Sequence, residues 1–221
     1  MDSLERLHEE IRGCRACPRL VEWRERVGRE KRAAYRDWEY WARPVPGFGD
    51  PEATLLVVGL APAAHGGNRT GRVFTGDNSG DWLYGALFRA GFANQAASIR
   101  AGDGLELAGA YVSAAVRCAP PENKPLPAER DACQPFFERE LALLRNLKVV
   151  VPLGAFAYEA VARVAGLRFR PKFGHGVEAV LPSGLNVVCS YHPSQHNTFT
   201  GRLTRPMFDA VFARARAIAG G

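Results

Sequence analysis

The sequence lacks the features that define several large classes of protein. No apolar run is long enough to cross a bilayer, and residues 1–5 do not resemble a secretory signal. The glycine-rich loop of residues 60–71 has neither the Gly-Lys-Ser/Thr ending of a Walker loop nor the GxGxxG spacing of a dinucleotide-binding turn. No internal repeat or low-complexity segment occurs. We therefore expect a cytoplasmic globular protein with no membrane association.

Composition narrows this expectation. The chain has 221 residues, of which 47% are hydrophobic and 24% are charged, as in an ordinary globular protein. This length predicts a single domain over residues 1–221, which we expect to be a monomer. Lys and Arg outnumber Asp and Glu by 29 to 23, so the net charge is +6. This balance favours a polyanionic partner, although charge alone does not identify it.

Residues 54–77 contain the most informative pattern. Residues 54–59 are mostly apolar and partly β-branched, which is typical of a strand buried on both faces. The glycine-rich loop follows, and open α/β sheets bind their ligands in such loops at the carboxyl ends of strands. Phe74 and Asp77 lie close behind this loop in sequence. An ordinary strand-to-helix turn is the alternative interpretation of the loop taken alone.

Strand and helix patterns alternate along the rest of the chain. Strand-like runs occupy residues 110–116, 149–153 and 186–191, and helical patterns occupy residues 3–12, 79–90, 127–147 and 155–164, part of residues 20–41, and the segment after Pro206. Pro135 is expected to divide the helix over 127–147. Residues 177–181 and 185–188 are expected to pair as a hairpin. The alternation predicts an α/β fold, a three-layer α/β/α sandwich with a central, mainly parallel four-stranded sheet.

Four of the five cysteines have a spacing that suggests a metal or cluster site. Cys14 and Cys17 form a CxxC pair, and Cys118 and Cys133 form a wider pair far along the chain. Disulfides are rare in cytoplasmic proteins. The wide second pair favours an iron–sulfur cluster that staples the N-terminal segment to the sheet, and structural zinc is the alternative. Cys189 lies in an apolar run and is expected in the core.

A polar and basic segment follows the last predicted strand. His192 is expected at the carboxyl end of that strand, on the same sheet edge as the glycine-rich loop. A hydrogen-bonded structural histidine is the alternative for this position. Beyond it lie the polar residues His196, Asn197 and Arg202 and two candidate apolar wedges, Phe199 and Leu203. This composition suits a loop that enters a groove of nucleic acid.

Three of these motifs together resemble the iron–sulfur uracil-DNA glycosylases, and they most resemble the family-five, or type-b, branch. The motifs are Gly59-Leu60-Ala61-Pro62-Ala63, the four-cysteine pattern and His192-Pro193-Ser194. Better-known branches of the superfamily carry a polar or acidic residue where this chain has Leu60 and Ala61. The iron–sulfur sister branch uses an asparagine where this chain has Ala114. These departures imply a wider range of deaminated bases than uracil alone.

The resemblance implies a DNA base-excision repair enzyme. Its reaction is hydrolysis of the N-glycosidic bond of uracil, and of hypoxanthine, xanthine or mismatched thymine, in DNA. The implied catalytic residues are Asp77 and His192; Asp81 is a less favoured carboxylate, and a helix N-cap is the alternative role for Asp77. The implied base-binding residues are Gly59, Ala61, Ala63, Phe74 and Ala114. The implied DNA contacts are His196, Asn197, Arg202 and Leu203, and a 4Fe–4S cluster is implied on Cys14, Cys17, Cys118 and Cys133.

Two functions of other classes stay open from the sequence. The departures at Leu60, Ala61 and Ala114 could have produced a non-catalytic iron–sulfur protein that binds nucleic acid. An electron-transfer protein is the other alternative. The cysteines are expected at the border of the fold rather than at the glycine-rich loop, which favours a structural cluster over an electron-transfer centre.

Overall fold

The computed structural model describes residues 2–167 and 171–220. The α-helices in these ranges are α1 (Leu4–Gly13), α2 (Pro18–Glu30), α3 (Gly67–Thr70), α4 (Asn78–Arg89), α5 (Pro127–Leu143), α6 (Ala155–Val164), α7 (Gln195–Phe199) and α8 (Arg205–Gly220). The strands are β1 (Phe48–Gly49), β2 (Leu55–Gly59), β3 (Ala110–Ala114), β4 (Val149–Pro152), β5 (Glu178–Val180) and β6 (Asn186–Val188). Short 3-10 turns occupy Ala33–Tyr35 and Pro121–Asn123.

The strands form one six-stranded sheet in the order β1-β3-β2-β4-β6-β5. The four inner strands are parallel, and this part of the prediction is confirmed. The short edge strands β1 and β5 pair antiparallel to β3 and β6 and widen the sheet beyond the four predicted strands. β5 and β6 form the hairpin that the turn residues between them predict. The carboxyl ends of β2, β3, β4 and β6 consequently meet at one edge.

Two apolar clusters cover the two faces of the sheet. All five residues of β2 are buried, and they alternate between the clusters. Leu55 and Val57 pack with residues of α4 and α8. Leu56 and Val58 pack with residues of α5 and α6. This arrangement is the predicted α/β/α sandwich.

The predicted break in α5 is wrong. The helix runs from Pro127 to Leu143 with Pro135 inside it. Pro135 removes one backbone N–H donor, but Cys133 and Phe137 on either side of it are buried. Their packing holds the helix against the sheet on both sides of the missing hydrogen bond.

The N-terminal helix is anchored to α5 and β3 by polar contacts. Arg139 of α5 pairs with Asp2 at 2.8 Å and also with Glu10 of α1. The His8 ring lies 2.7 Å from the hydroxyl of Tyr111 in β3. No helix in the described ranges combines the length and apolar composition needed to cross a bilayer.

Candidate active site

A cleft of about 480 Å³ lies at the carboxyl ends of β2 and β6. Its volume falls within the range of about 300–1,000 Å³ that is usual for small-molecule sites. The loops after β2, β3 and β6 all contribute to its walls. The lining residues are Leu60, Ala61, Ala63, Phe74, Asp77, Asn78, Ser79, Asn123, His192, Ser194, Gln195 and His196. The cleft therefore brings together the two segments that the sequence singles out, residues 60–77 and 192–196.

Phe74 and His192 stand side by side in this cleft. Their ring centroids are 5.8 Å apart, and the ring planes meet at 31°. Phe74 has a φ of 51°, a left-handed conformation that is strained for a bulky side chain. Gly59 makes room for its ring, because a Cβ on Gly59 would lie 2.5 Å from Phe74 Cε2. The predicted motif residue Gly59 thus acts through a close approach to Phe74, and it does not line the cleft itself.

Asp77 is both the N-cap of α4 and a wall of the cleft. Its Oδ1 accepts a hydrogen bond from the backbone N–H of Gly80 at 3.0 Å. Its other oxygen, Oδ2, lies against Gly66. Desolvation by burial raises the pKa of Asp77 above its ordinary value, partly offset by the backbone N–H groups of Gly80 and Ser79. The two alternatives for Asp77, a cap and a site carboxylate, are therefore compatible in one conformation.

His192 is neutral at physiological pH. Burial lowers the pKa of its imidazole to about 4, because few polar groups compensate for lost water. The Cβ of His192 also packs near Gly154, where an added methyl group would lie 3.4 Å away. A neutral imidazole carries one N–H donor and one acceptor nitrogen, so His192 can donate a hydrogen bond without bringing a charge into the cleft.

The backbone at Ala61 and Ala63 offers further donors. Both residues line the cleft. The carbonyl oxygen of Ala63 accepts bonds from Gly66 and Asn68. Within the described ranges, the N–H groups of Ala61 and Ala63 donate to no protein acceptor. Ala114, by contrast, pairs with Gly59 in the sheet, is buried and lies outside the cleft lining.

Sequence reasoning missed Arg69, which fixes the loop between the cleft residues. Its guanidinium lies between the rings of Tyr35 and Trp38, at 3.9 and 4.1 Å from their centroids. It donates to the carbonyl oxygens of His65 at 2.7 Å and Gly76 at 2.9 Å. These two hydrogen bonds hold Gly76, and with it the neighbouring Asp77, close to His65 in the glycine-rich loop. The aromatic residues before β1 are a signal in the sequence for such stacking, but the sequence does not show that Arg69 is their partner.

Asn123 is a second cleft residue that sequence reasoning missed. It lies at the end of the 3-10 turn after β3 and has a φ of 56°. Asparagine tolerates this left-handed conformation better than most residues. The Pro120-Pro121-Glu122-Asn123 sequence signals a turn, but only the fold shows that the turn reaches the cleft. Asn123 adds an amide from the segment after β3 to the polar side chains that the other two loops contribute.

The predicted DNA-contact residues separate into distinct environments. His196 is exposed and lines the cleft. Asn197 donates from Nδ2 to the carbonyl oxygen of His192 at 2.9 Å, so it holds the histidine loop in place. The exposed Arg202 stacks over the ring of Tyr191 at 4.6 Å.

Leu203 does not match its predicted place as a surface wedge. It is fully buried in the core beside α8, and in this conformation it presents nothing to a groove. Phe199, the last residue of α7 and four residues earlier in the chain, is 76% exposed. The hydrophobic side chain available for a wedge is therefore Phe199, the other candidate that the sequence offers.

The four cysteines expected to form a cluster site line one small cavity. Cys14 and Cys17 come from the turn between α1 and α2, Cys118 follows β3, and Cys133 comes from α5. Burial raises the pKa of Cys118 to about 12 and that of Cys133 to about 11. Cys189 lies elsewhere, in the apolar cluster under α5 and α6, as expected. The turn between α1 and α2 thus meets the loop after β3 and helix α5 at this cavity.

Arg24 forms one wall of the cysteine cavity. It is 2% exposed, and its Nη1 donates to the sulfur of Cys118 at 2.9 Å. Its Nη2 donates to the carbonyl oxygen of Cys14 at 3.1 Å. Its own carbonyl oxygen accepts a bond from Nδ2 of Asn68 in α3, at 3.2 Å. Arg24 therefore contacts both cysteine pairs and α3, the short helix within the glycine-rich loop.

Comparisons with known proteins point in the same direction as this geometry. The family model described as "Uracil DNA glycosylase superfamily" matches residues 46–216. A "Type-5 uracil-DNA glycosylase" from Mycobacterium tuberculosis is 52% identical over 221 residues, which cover 99% of this chain and 82% of the relative. A protein of the same description from Thermus thermophilus is 54% identical over 211 residues, 95% of each chain. Another, from Pyrobaculum aerophilum, is 47% identical over 207 residues, covering 94% of this chain and 89% of the relative.

Proposed function

Because this chain belongs to the uracil-DNA glycosylase superfamily, we propose that it is a DNA-repair enzyme that hydrolyses the N-glycosidic bond of uracil in DNA. The similarity to type-5 enzymes confirms the branch that the sequence motifs indicate. The observation that carries the proposal is the meeting of Phe74, Asp77 and His192 in one cleft at the carboxyl edge of the sheet. The products are a free base and an abasic site.

The first requirement of this reaction is a place for negative charge on the departing base. As the bond breaks, electron density moves onto the base carbonyl oxygens. His192 donates a hydrogen bond to one of them, O2 in uracil, in its neutral form. The unpartnered N–H groups of Ala61 and Ala63 are suited to the same charge. Phe74 presents a ring for stacking the base once it has been extruded from the helix.

The second requirement is a group that faces the positive sugar and directs water. Asp77 is the carboxylate on the cleft wall, and Asp81 is one turn further along α4. The ionised Asp77 stabilises the cationic sugar and orients or deprotonates the attacking water. Its hydrogen bond to Gly80 and its packing against Gly66 fix the carboxylate before the substrate arrives.

We also propose that the enzyme accepts hypoxanthine, xanthine and mismatched thymine. The wall formed by Leu60, Ala61 and Ala63 offers no side-chain donor or acceptor that would reject a base lacking the uracil pattern. Strict discrimination requires buried polar groups that a wrong ligand leaves unpaired. Asn78, Asn123 and Gln195 are the amide side chains in the lining that are available for contact with the base.

DNA is engaged by the segment after His192. The exposed ring of Phe199 is the wedge that fills the space left by the extruded nucleotide. His196 and Arg202 are exposed on the same segment and face phosphates or the groove. Because these contacts displace counterions, affinity falls as salt rises.

We propose that Cys14, Cys17, Cys118 and Cys133 hold a 4Fe–4S cluster. The four thiols line one small cavity, and their spacing, a CxxC pair followed by a wide second pair, favours a cluster over structural zinc. Arg24 offers positive charge to the negative set of thiolates. When bound, the cluster supplies a cross-link between the N-terminal segment and the sheet and takes no part in hydrolysis.

A base-release assay tests the proposal. Duplexes that contain uracil, hypoxanthine, xanthine or a thymine mismatch are incubated with excess protein, and free base is quantified. We expect release of uracil, and of the other bases at their own rates. Tight DNA binding with no release of any base would instead support a non-catalytic nucleic-acid-binding protein. The monomeric state and cytoplasmic location stay predictions of the sequence.

A further inference from the structure

An arginine-rich pocket lies outside the cleft and shares Arg24 with the neighbouring cysteine cavity. It has a volume of about 430 Å³ and is bounded by the end of α1, the turn after it, the middle of α2 and residues 41–43. Four guanidinium groups line it, those of Arg12, Arg15, Arg24 and Arg43. The one carboxylate in its lining is Glu25, which already pairs with Arg15 at 2.5 Å.

Three of these arginines have no carboxylate partner within the described ranges. Arg12 and Arg43 are exposed, whereas Arg24 is buried and its Nε has no hydrogen-bond acceptor. Buried arginines elsewhere in the chain are compensated differently, since Arg72 pairs with Asp103 and Arg117 pairs with Glu140. Arg24 already donates to Cys118 Sγ and the Cys14 carbonyl oxygen, so the unpaired charges at this concavity are those of Arg12 and Arg43, and they create a local field that favours an anion.

The pocket is tied directly to the wall of the cleft. The backbone N–H of Trp41 donates to the carbonyl oxygen of Arg69, and the backbone N–H of Ala42 donates to that of Asn68, both at 3.0 Å. Arg69 and Asn68 belong to α3, the short helix within the glycine-rich loop. The segment is also locked in shape, because Ala42 has a φ of 50°. The pocket therefore sits in a fixed position behind the loop that forms one side of the cleft.

We propose that this pocket binds one phosphodiester group of the DNA strand, away from the nucleotide that enters the cleft. The inference rests on the proposed function, because a DNA glycosylase must hold the backbone on both sides of the extruded nucleotide. Guanidinium groups make two parallel hydrogen bonds to phosphate oxygens. The half-buried indole of Trp41 and the stem of Arg43, whose guanidinium lies 5.6 Å from the ring centroid, give the pocket a wall for the sugar.

The experiment pairs changes in the protein with changes in the DNA. Arg12→Gln and Arg43→Gln are made singly and together. Arg145 is an exposed arginine between α5 and β4, and Arg145→Gln is the control for each single variant because it loses the same single charge. Binding is measured on a duplex with a non-hydrolysable 2′-fluoro deoxyuridine, with each phosphate near it replaced in turn by neutral methylphosphonate. Affinity is also followed against salt concentration.

Among the methylphosphonate positions that weaken binding of the wild type and of Arg145→Gln, we expect one to have no further effect on the double variant, whereas positions contacted by the segment after His192 should weaken binding of all variants. The slope of log affinity against log salt should fall by about 0.9 in the double variant, which corresponds to one phosphate. The effects of Arg12→Gln and Arg43→Gln should not add, because both side chains contact the same group. The visible absorption of the cluster and the single-turnover rate at saturating DNA should be unchanged.

Other results overturn the proposal. A loss of affinity that is spread evenly over all phosphates, or that Arg145→Gln reproduces, would mean general attraction rather than a site. Stabilisation of the wild type by inorganic phosphate at constant ionic strength, lost in the double variant but without a sensitive methylphosphonate position, would mean a free-phosphate site. The proposed glycosylase activity is judged separately, by uracil release from wild-type protein.

Discussion

The carboxylate of Asp77 lies against the Cα of Gly66 so closely that a methyl group there would be 1.9 Å from Oδ2 and 2.8 Å from Cγ. Gly66→Ala should therefore push the carboxylate off its place without changing its chemistry. We expect single-turnover uracil release to fall at least tenfold, with the overpacking costing about 1–3 kcal/mol of stability. Gly85→Ala in α4 is the control, since its new methyl group would meet only the flexible end of Arg89 at 3.2 Å. Equal rates for Gly66→Ala and wild type would separate Asp77 from catalysis.

Asp77→Asn should lower the catalytic rate and raise the stability of the fold. Asparagine caps a helix about as well as aspartate, and it removes a charge whose pKa is raised by burial. We expect a rate loss of about 10²–10⁴-fold together with a higher Tm, measured by single-turnover kinetics and calorimetry. The loss should be similar for every base, whereas the loss in His192→Ala should vary with the leaving group. A fully active Asp77→Asn would mean that the residue is only a cap.

The pH dependence should show no titration of His192 near neutral pH. The pKa of His192 is lowered to about 4, so it stays the neutral donor from neutral pH down to that value. The rate should fall as the pH drops through the pKa of Asp77, which burial raises above its ordinary value.

His192 also affects stability in a defined window of pH. Its folded pKa, about 4, is depressed below the unfolded value of about 6.5. The unfolded chain therefore binds the proton first, and the free energy of unfolding falls as pH falls through that window. Subtracting the profile of His192→Gln removes the contribution of the other histidines. Identical profiles would show that the imidazole is not desolvated.

Arg24 should control how firmly the proposed cluster retains its iron. Its guanidinium donates to Cys118 Sγ and, through Nη2, to the carbonyl oxygen of Cys14. We expect Arg24→Met to lose iron to a chelator several times faster than wild type, and Arg24→Lys to be intermediate. Arg29→Met, on the exposed side of α2, should behave as wild type. The readouts are iron and sulfide per chain and the visible spectrum. Iron loss from Arg24→Met at the wild-type rate would contradict the role.

Phe199 and Leu203 should have opposite signatures. Phe199 is 76% exposed and Leu203 is fully buried. Phe199→Ala should weaken binding to uracil-containing duplex more than to single strands, while leaving the Tm unchanged. Leu203→Ala should lower stability by about 2–5 kcal/mol, as for a buried leucine. Equal loss of duplex binding in both variants at full stability would assign the wedge to Leu203.

The sequence alone predicted the parallel sheet, the three layers and the association of the loop after β2 with His192. These follow from buried strand patterns and from topology, which places all carboxyl ends of the inner strands together. Arg69 and Asn123 could not be predicted, because their roles depend on partners that are distant in sequence. Leu203 was misplaced because an apolar residue in a polar loop has the same pattern whether it faces a groove or the core. Pro135 was misjudged because packing outweighed a local propensity.

The separation of the cleft residues along the chain has a kinetic consequence. Asp77 follows β2, Asn123 follows β3 and His192 follows β6, so the cleft is complete only when strands from the first and last thirds have paired. Parallel pairings of this kind require long loop closures, which makes such sheets slow to form. During synthesis, a nascent chain carries its glycine-rich loop and its aspartate long before its histidine emerges. Catalysis therefore begins only after β6 has joined the sheet, and recovery of uracil excision measures completion of the sheet in a refolding experiment.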